Sequence, residues 1–208
     1  MQLRCLTAYD VRGKIPEDFD AQIALRIALA FTCHCRVRRM VIGRDMRLTS
    51  PEISQTIIDG LLAQGVDIID IGLCGTEEVY HAVFSGFGDG IEGGIMITAS
   101  HNPAAYNGMK IVQRESRPVS RDSGLIEIGQ MAADLQWFAE QTAQRPPQPG
   151  SYRRIDSKEA YIKHLLAMVD CSVMRPMKIV VNAGNGCAGP VVDLLAAHLP
   201  FSFIRLNH

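Results

Sequence analysis

Apolar positions recur along the chain at two alternating periods, helical and extended, which predicts an α/β protein. Directly after Asp20, the run Ala21–Thr32 carries Ile23, Ile27, Ala30 and Phe31 on one helical stripe. Met40–Gly43 is a short apolar strand. A second helix follows, with Ser50 as N-cap, Pro51 at the first helical position and Glu52 at the positive end. Its stripe is Ile53, Ile57, Leu61 and Leu62, and Gly65 is placed to end it. Val66–Gly72 predicts an Ile-rich strand, and Thr76, Glu77 and Glu78 open a helix that runs to Phe84. Gly93–Ala99 is apolar without alternation, the pattern of a strand covered on both faces. Met109–Val112 is a further strand.

From Asp122 to about Gln141 the periodicity predicts one helix, with Leu125, Ile128, Met131, Ala132 and Leu135 facing the core. Trp137 and Phe138 close it at the domain edge. The run from Arg145 through Pro146, Pro147, Gln148 and Pro149 to Gly150 admits no regular structure and marks the best boundary. Beyond it, Asp156 and Glu159 form a capping-box-like start to a helix through Val169. Met177–Asn182 then reads as a strand, Pro190–Leu199 as a helix and Phe201–Leu206 as a strand. The expected architecture is a three-layer α/β/α domain with a mixed sheet over residues 1–144, followed by the start of a second similar domain over 151–208. Two strands and two helices are too few for a doubly covered sheet, so the pattern predicts a fragment of something longer. Ile179, Val181, Val191 and Leu194 would lack sheet partners, and low stability is expected.

At 208 residues the chain is long enough for one to two domains. Hydrophobic residues at 47% and charged residues at 21% argue against disorder, collagen and coiled coil. Lys+Arg 21 against Asp+Glu 22 leaves a net charge of −1, which offers no basic excess for nucleic acid or an anionic membrane. No apolar stretch approaches the roughly 20 residues of a bilayer span, and the first residues lack the apolar core of a signal peptide. A cytoplasmic protein is expected, with Cys5, Cys33, Cys35, Cys74, Cys171 and Cys187 as reduced thiols. Cys33, His34 and Cys35 lack the second ligand cluster of a zinc site and read as residues near a helix end.

Chemistry concentrates in Thr98-Ala99-Ser100-His101-Asn102-Pro103 and Tyr106-Asn107-Gly108-Met109-Lys110. A buried strand ends at Ser100, and strand ends in α/β sheets are where ligands sit. A serine hydroxyl becomes a useful nucleophile when a base takes its proton or cations stabilise the developing charge, and His101 and Lys110 can serve. The competing reading is a turn in which Ser, Asn and Pro satisfy backbone groups. Gly184, Gly186 and Gly189 match a dinucleotide fingerprint by spacing, but Arg205 stands near where its acidic residue is due. Tight turning explains these glycines.

The serine segment, with Asn107-Gly108-x-Lys110, resembles the active-site signature of the α-D-phosphohexomutases. Three further stretches agree in order with that family. Tyr9-Asp10-Val11-Arg12-Gly13 resembles its Y-D-(I/V)-R-G, and Gly43-Arg44-Asp45-x-Arg47-x-Thr49-Ser50 its G-x-D-x-R-x-(S/T)-S. Asn182 through Pro190 resembles the glycine loop that begins its second domain. Gly75-Thr76-Glu77-Glu78 and the region from Tyr106 to Pro118 are similar to the bacterial phosphomannomutases that supply GDP-mannose.

The resemblance implies interconversion of mannose 6-phosphate and mannose 1-phosphate through a phosphoserine at Ser100 and a bisphosphorylated sugar. Arg12 would neutralise the phosphoserine region with Tyr9 nearby, Lys110 would exchange a proton with the sugar hydroxyl, His101 would support proton transfer and Asn102 would orient the loop. Arg44 and Arg47 fit equally well as structural partners of Asp45 or Glu52. Mg²⁺ is implied, held through phosphorylated Ser100, but its carboxylate loop, D-G-D-x-D-R in the family, has no counterpart here, nor do the sugar-selecting segment and the C-terminal phosphate loop. The expected partners are hexose phosphates and a hexose bisphosphate. A catalytically silent module that binds sugar phosphates or pairs with another subunit is the alternative, as is a mutase for glucose or glucosamine phosphates.

Overall fold

The computed structural model describes residues 3–88, 90–144 and 146–208. Met1 and Gln2, at the start of the stretch read for a signal peptide, and Arg145 of the predicted break lie outside the described residues.

In the first unit, β1 (Val11–Lys14), α1 (Ala21–Cys35), β2 (Arg39–Arg44), α2 (Ser50–Ala63), β3 (Asp67–Leu73), α3 (Thr76–Ser85), β4 (Gly93–Ile97), β5 (Tyr106–Gln113), β6 (Arg117–Pro118), α4 (Leu125–Ala133) and α5 (Leu135–Ala143) follow one another. Then come β7 (Tyr152–Arg154), α6 (Lys158–Ala167), β8 (Lys178–Asn182), α7 (Ala188–Ala196) and β9 (Ser202–Leu206). Seven strands among the described residues form a mixed sheet in the order β1-β5-β4-β2-β3-β7, with β6 beside β5. The run β4-β2-β3-β7 is parallel, and β5 is antiparallel to β4, β1 and β6. Tyr152–Arg154, which follow the proline-rich break, thus add an edge strand to this sheet.

Helices cover both faces, giving the expected three layers. Met40, Ile42, Ile68, Ile95 and Ile97 pack with Ile27, Phe31, Ile53, Ile57 and Leu61 of α1 and α2, and with Leu125 and Ile128 of α4. The intervening Val41, Ile69, Ile71 and Met96 pack with Val79, Ala82 and Val83 of α3. Neighbouring strand residues point to opposite faces, and both faces are dry, so these strands read as continuous apolar runs. Each fully buried Ile or Leu stabilises the fold by about 1.5–3 kcal/mol relative to exposure.

Local signals set most helix ends. Asp20 accepts a hydrogen bond from Ile23 N at 2.7 Å and caps α1, which runs to Cys35 and so places Cys33, His34 and Cys35 in its last turn. Gly65, at φ 77°, ends α2 as expected: its N–H donates to Leu62 O, and that of Val66 to Leu61 O.

Four predictions are corrected. Thr49, not Ser50, flanks α2, and Ser50 is its first residue, with its hydroxyl turned to Asp45. The single helix over Asp122–Gln141 is two, because Asp134 accepts from Gln136 N and Trp137 N and restarts the chain as α5. In consequence Leu135, placed in the core stripe by periodicity, is 66% exposed. The box at Asp156 and Glu159 does not form: Asp156 accepts from Lys158 N, and the flanking Ser157 keeps a buried hydroxyl with no partner among the described residues.

β8, α7 and β9 make a parallel strand-helix-strand unit. Ile179, Val181, Val191 and Leu194 are half-buried there, while Val180, Ile204 and Leu206 are exposed.

Candidate active site

Three segments far apart in sequence meet at the end of β4. The first is β1, which pairs with β5 so that Arg12 lies opposite Gly108. A Cβ on Gly108 would stand 2.0 Å from Val11 O, so only glycine lets the two strands approach this closely. This register puts Arg12 Nη1 2.9 Å from Thr98 O, two residues before the serine. Arg12 Nε and Nη2 also donate to Asp10 Oδ2 at 3.1 and 2.8 Å, and Lys110 Nζ donates to the same oxygen at 3.1 Å. Burial pushes the Asp10 carboxyl upward, but the bonds from Arg12, Thr7 and Lys110 outweigh it and hold the group below its ordinary range. Asp10 is therefore ionised at neutral pH, and two cations share one anion.

The second segment is the turn between β2 and α2. Arg47 donates from Nη1 to Pro103 O and Tyr106 O at 2.8 and 2.9 Å, and from Nη2 to Ser100 O and Asn102 O at 3.0 and 2.5 Å. Its Nε lies 3.4 Å from Asp45 Oδ2. The other Asp45 oxygen accepts from Ser50 Oγ at 2.6 Å and from Arg47 N at 3.0 Å. The fully buried Asn107 amide donates to Thr49 Oγ1 and Ser50 Oγ at 2.8 and 3.0 Å, and its oxygen accepts from Gly108 N at 2.8 Å.

The third is the serine loop itself. Ser100 is exposed at φ 53°, a left-handed conformation that costs a non-glycine residue of order 1–3 kcal/mol unless its surroundings enforce it. Its N–H donates to Thr98 Oγ1 at 2.8 Å, and its Oγ lies 3.4 Å from His101 Nδ1, at the long limit of a hydrogen bond. Ser100 lines a cleft of about 320 Å³ whose opposite wall is Gly184, Gly186 and Cys187 of the second unit.

Of the six residues named from sequence, only Ser100 stands on the cleft wall. His101 is beside its hydroxyl, and Arg12 and Lys110 form the neighbouring cationic pair. Asn102 enters through its main-chain carbonyl, gripped by Arg47. Tyr9 is 79% exposed. Asp10 and Asn107 carry much of the geometry without a role in the sequence reading, which offers Asp45 only as an ion-pair partner of Arg44 or Arg47; all three lie inside motifs, but a side chain's partners are set by folding. Cys74 and Cys187 share the cleft, yet burial raises both thiols, so they remain protonated and poor nucleophiles. A larger cleft of about 600 Å³ lies between the N-terminal segment and α4; it is lined mainly by apolar residues, with Arg121 the one titratable group among the described ones, and it adjoins the site only through Thr7, which bonds Asp10.

A metal finds little purchase here. Among the described residues no group of three or more His, Cys, Asp and Glu side chains is arranged to hold an ion. Asp10 and Asp45 have their oxygens committed to cations and hydroxyls, and Mg²⁺ prefers six oxygens. Unmodified, these residues do not make a Mg²⁺ site.

Known proteins share this arrangement of sequence and fold. Residues 4–134 match the family model described as phosphoglucomutase/phosphomannomutase, alpha/beta/alpha domain I. A protein of Xanthomonas campestris pv. campestris named "Phosphohexose mutases" is 46% identical over 210 residues, covering 100% of this chain and 44% of its own length. A phosphomannomutase of Salmonella montevideo is 43% identical over 211 residues, covering 99% and 45%. The crystal structure of a phosphoglucomutase/phosphomannomutase family protein from Burkholderia thailandensis superposes with a TM-score of 0.83 at 33% identity, over 98% of this chain and 43% of that one. This chain thus spans a little under half the length of these relatives. The match over most of the first unit, together with this level of identity, makes the chain a member of the phosphoglucomutase/phosphomannomutase family.

Proposed function

We propose that Ser100 carries a phosphoryl group to and from hexose phosphates, and that the chain supplies this half-site to a mutase interconverting mannose 6-phosphate and mannose 1-phosphate. One observation carries the reading: an exposed hydroxyl, held in a costly conformation at a cleft wall, stands two residues after the Thr98 carbonyl that Arg12 binds, with Lys110 on the same Asp10 carboxylate as Arg12. Phosphoryl transfer needs positioning and positive charge more than covalent activation, which suits this arrangement. A hexose bisphosphate gives its phosphoryl group to Ser100 Oγ: the new O–P bond forms, the sugar O–P bond breaks, and the hydroxyl proton passes to the departing sugar phosphate. A part for His101 in that proton movement is supported by its Nδ1 lying 3.4 Å from the hydroxyl. The choice of mannose is supported by the phosphomannomutases among the relatives.

Phosphorylated Ser100 would add oxygens for Mg²⁺, but no group of carboxylates arranged to complete its coordination stands among the described residues. That donor set favours a second reading, a sugar-phosphate-binding module that accepts or holds phosphate without turnover. Intact-mass analysis after incubation with mannose 1,6-bisphosphate or glucose 1,6-bisphosphate tests the phosphoserine, and a mutase assay separates the two. Gain of one phosphoryl group, absent in Ser100→Ala, supports the phosphoserine, and steady mutase turnover by the same protein would exclude the silent reading. A chain that stays unlabelled with either sugar at millimolar concentration would sink the assignment of Ser100.

A further inference from the structure

The serine loop has no regular hydrogen-bond ladder, yet three of its carbonyl oxygens, with that of Tyr106 at the start of β5, converge on one side chain. Those of Ser100, Asn102, Pro103 and Tyr106 all lie 2.5–3.0 Å from the two terminal nitrogens of Arg47. The third guanidinium nitrogen faces Asp45, whose other oxygen is fixed by Ser50 and by the Arg47 main chain. The Arg47 side chain is only 14% exposed, so water competes poorly for these bonds. The anchor is itself braced: Asp45 N donates to Ile97 O at the end of β4, and Asn107 ties β5 to the start of α2.

We infer that Arg47 is the positioning residue of the phosphoryl-transfer site: its planar guanidinium holds the loop so that Ser100 keeps the left-handed conformation and a fixed place on the cleft wall. Resting on the reading of Ser100 given above, this assigns Arg47 more than an ion pair with Asp45. A fan of five N–H donors matches carbonyls set around a plane, whereas a lysine ammonium offers three donors from one point and cannot span them. The loop's order is thus supplied from outside its own sequence, by a residue 53 positions before the serine. Arg47 transfers no proton and bonds only main-chain carbonyls and Asp45.

The test compares wild type with Arg47→Lys by amide hydrogen exchange and by the rate of Ser100 labelling from glucose 1,6-bisphosphate. Exchange in residues 100–107 is expected to accelerate at least tenfold in Arg47→Lys, while α1 and β2 keep their protection. The maximal labelling rate is expected to fall about a hundredfold, the scale of misplacing a reacting group, with the half-saturating sugar concentration unchanged. Unchanged exchange in the loop would overturn the proposal, as would wild-type labelling or a loss confined to half-saturation. Loss of protection throughout α1 and β2 would also overturn it, making Arg47 a general stabiliser. A wild type that takes no label would defeat the reading of Ser100, while the exchange comparison would still decide the role of Arg47.

Discussion

The backbone at Gly108 passes so close to that of Val11 that a methyl group on the glycine would sit 2.0 Å from the Val11 carbonyl oxygen. That approach sets the β1–β5 register and, through it, the position of Arg12 beside the serine loop. Gly108→Ala must push the strands apart. A loss of about 1–3 kcal/mol is expected, the usual cost of overpacking, measured as a lowered urea midpoint. Slower Ser100 labelling should accompany it, because Arg12 moves with β1.

Asp10 gives the acid limb of stability. Its folded pKa is lowered, so its contribution is fully present above the unfolded value of about 3.9 and is lost as pH falls through the folded one. Urea midpoints measured from pH 7 down to pH 3 should drop in wild type. In Asp10→Asn part of that drop should vanish, with a lower midpoint at pH 7 where Arg12 and Lys110 lose their shared anion. Superimposable pH profiles would refute this.

His81 acts in a different window. Its ring lies 4.8 Å from that of His164 and 5.5 Å from that of Tyr161, between α3 and α6, and its Nδ1 is buried with no hydrogen-bond partner among the described residues. Burial, then the neighbouring His164, lowers its pKa. The unfolded chain therefore binds the proton more readily, and stability declines as pH falls from about 6.5 toward the folded value. The melting temperature should fall between pH 7 and pH 5 in wild type, and less so in His81→Phe.

Asn107 is buried with both ends of its amide satisfied. Asn107→Ala leaves Gly108 N without its acceptor and unties Thr49 and Ser50 from β5. A cost of about 1–3 kcal/mol is expected from the unpaired buried groups. Equilibrium unfolding of Asn107→Ala with wild-type stability would show that water replaces the amide at no cost.

The layered fold was legible because its cause is local repetition. Continuous apolar strands and striped helices follow from burial on two faces and on one, so α1, α2, α3 and β4 stand within a few residues of their predicted places. β1 and β7 were missed: each has four residues or fewer, and their pairing comes from β5 and β3 rather than from any period of their own. The helix broken at Asp134 shows the converse, a capping carboxylate overriding an unbroken apolar stripe.

The sequence by itself determined the layers, the place of Ser100 at the end of a buried strand and the membership of its motifs in one family, since each is written in contiguous residues. Only the tertiary structure decided that Asp10 joins Arg12 to Lys110, that Arg47 grips the loop by its carbonyls, and that the glycine loop of the second unit closes the cleft. Apart from Asp10 and Arg12, which are two positions apart, those contacts link residues from 53 to 100 positions apart or lie across two units. A side chain declares its charge in the sequence, but which partner offsets that charge depends on strand register and on how closely two backbones can approach.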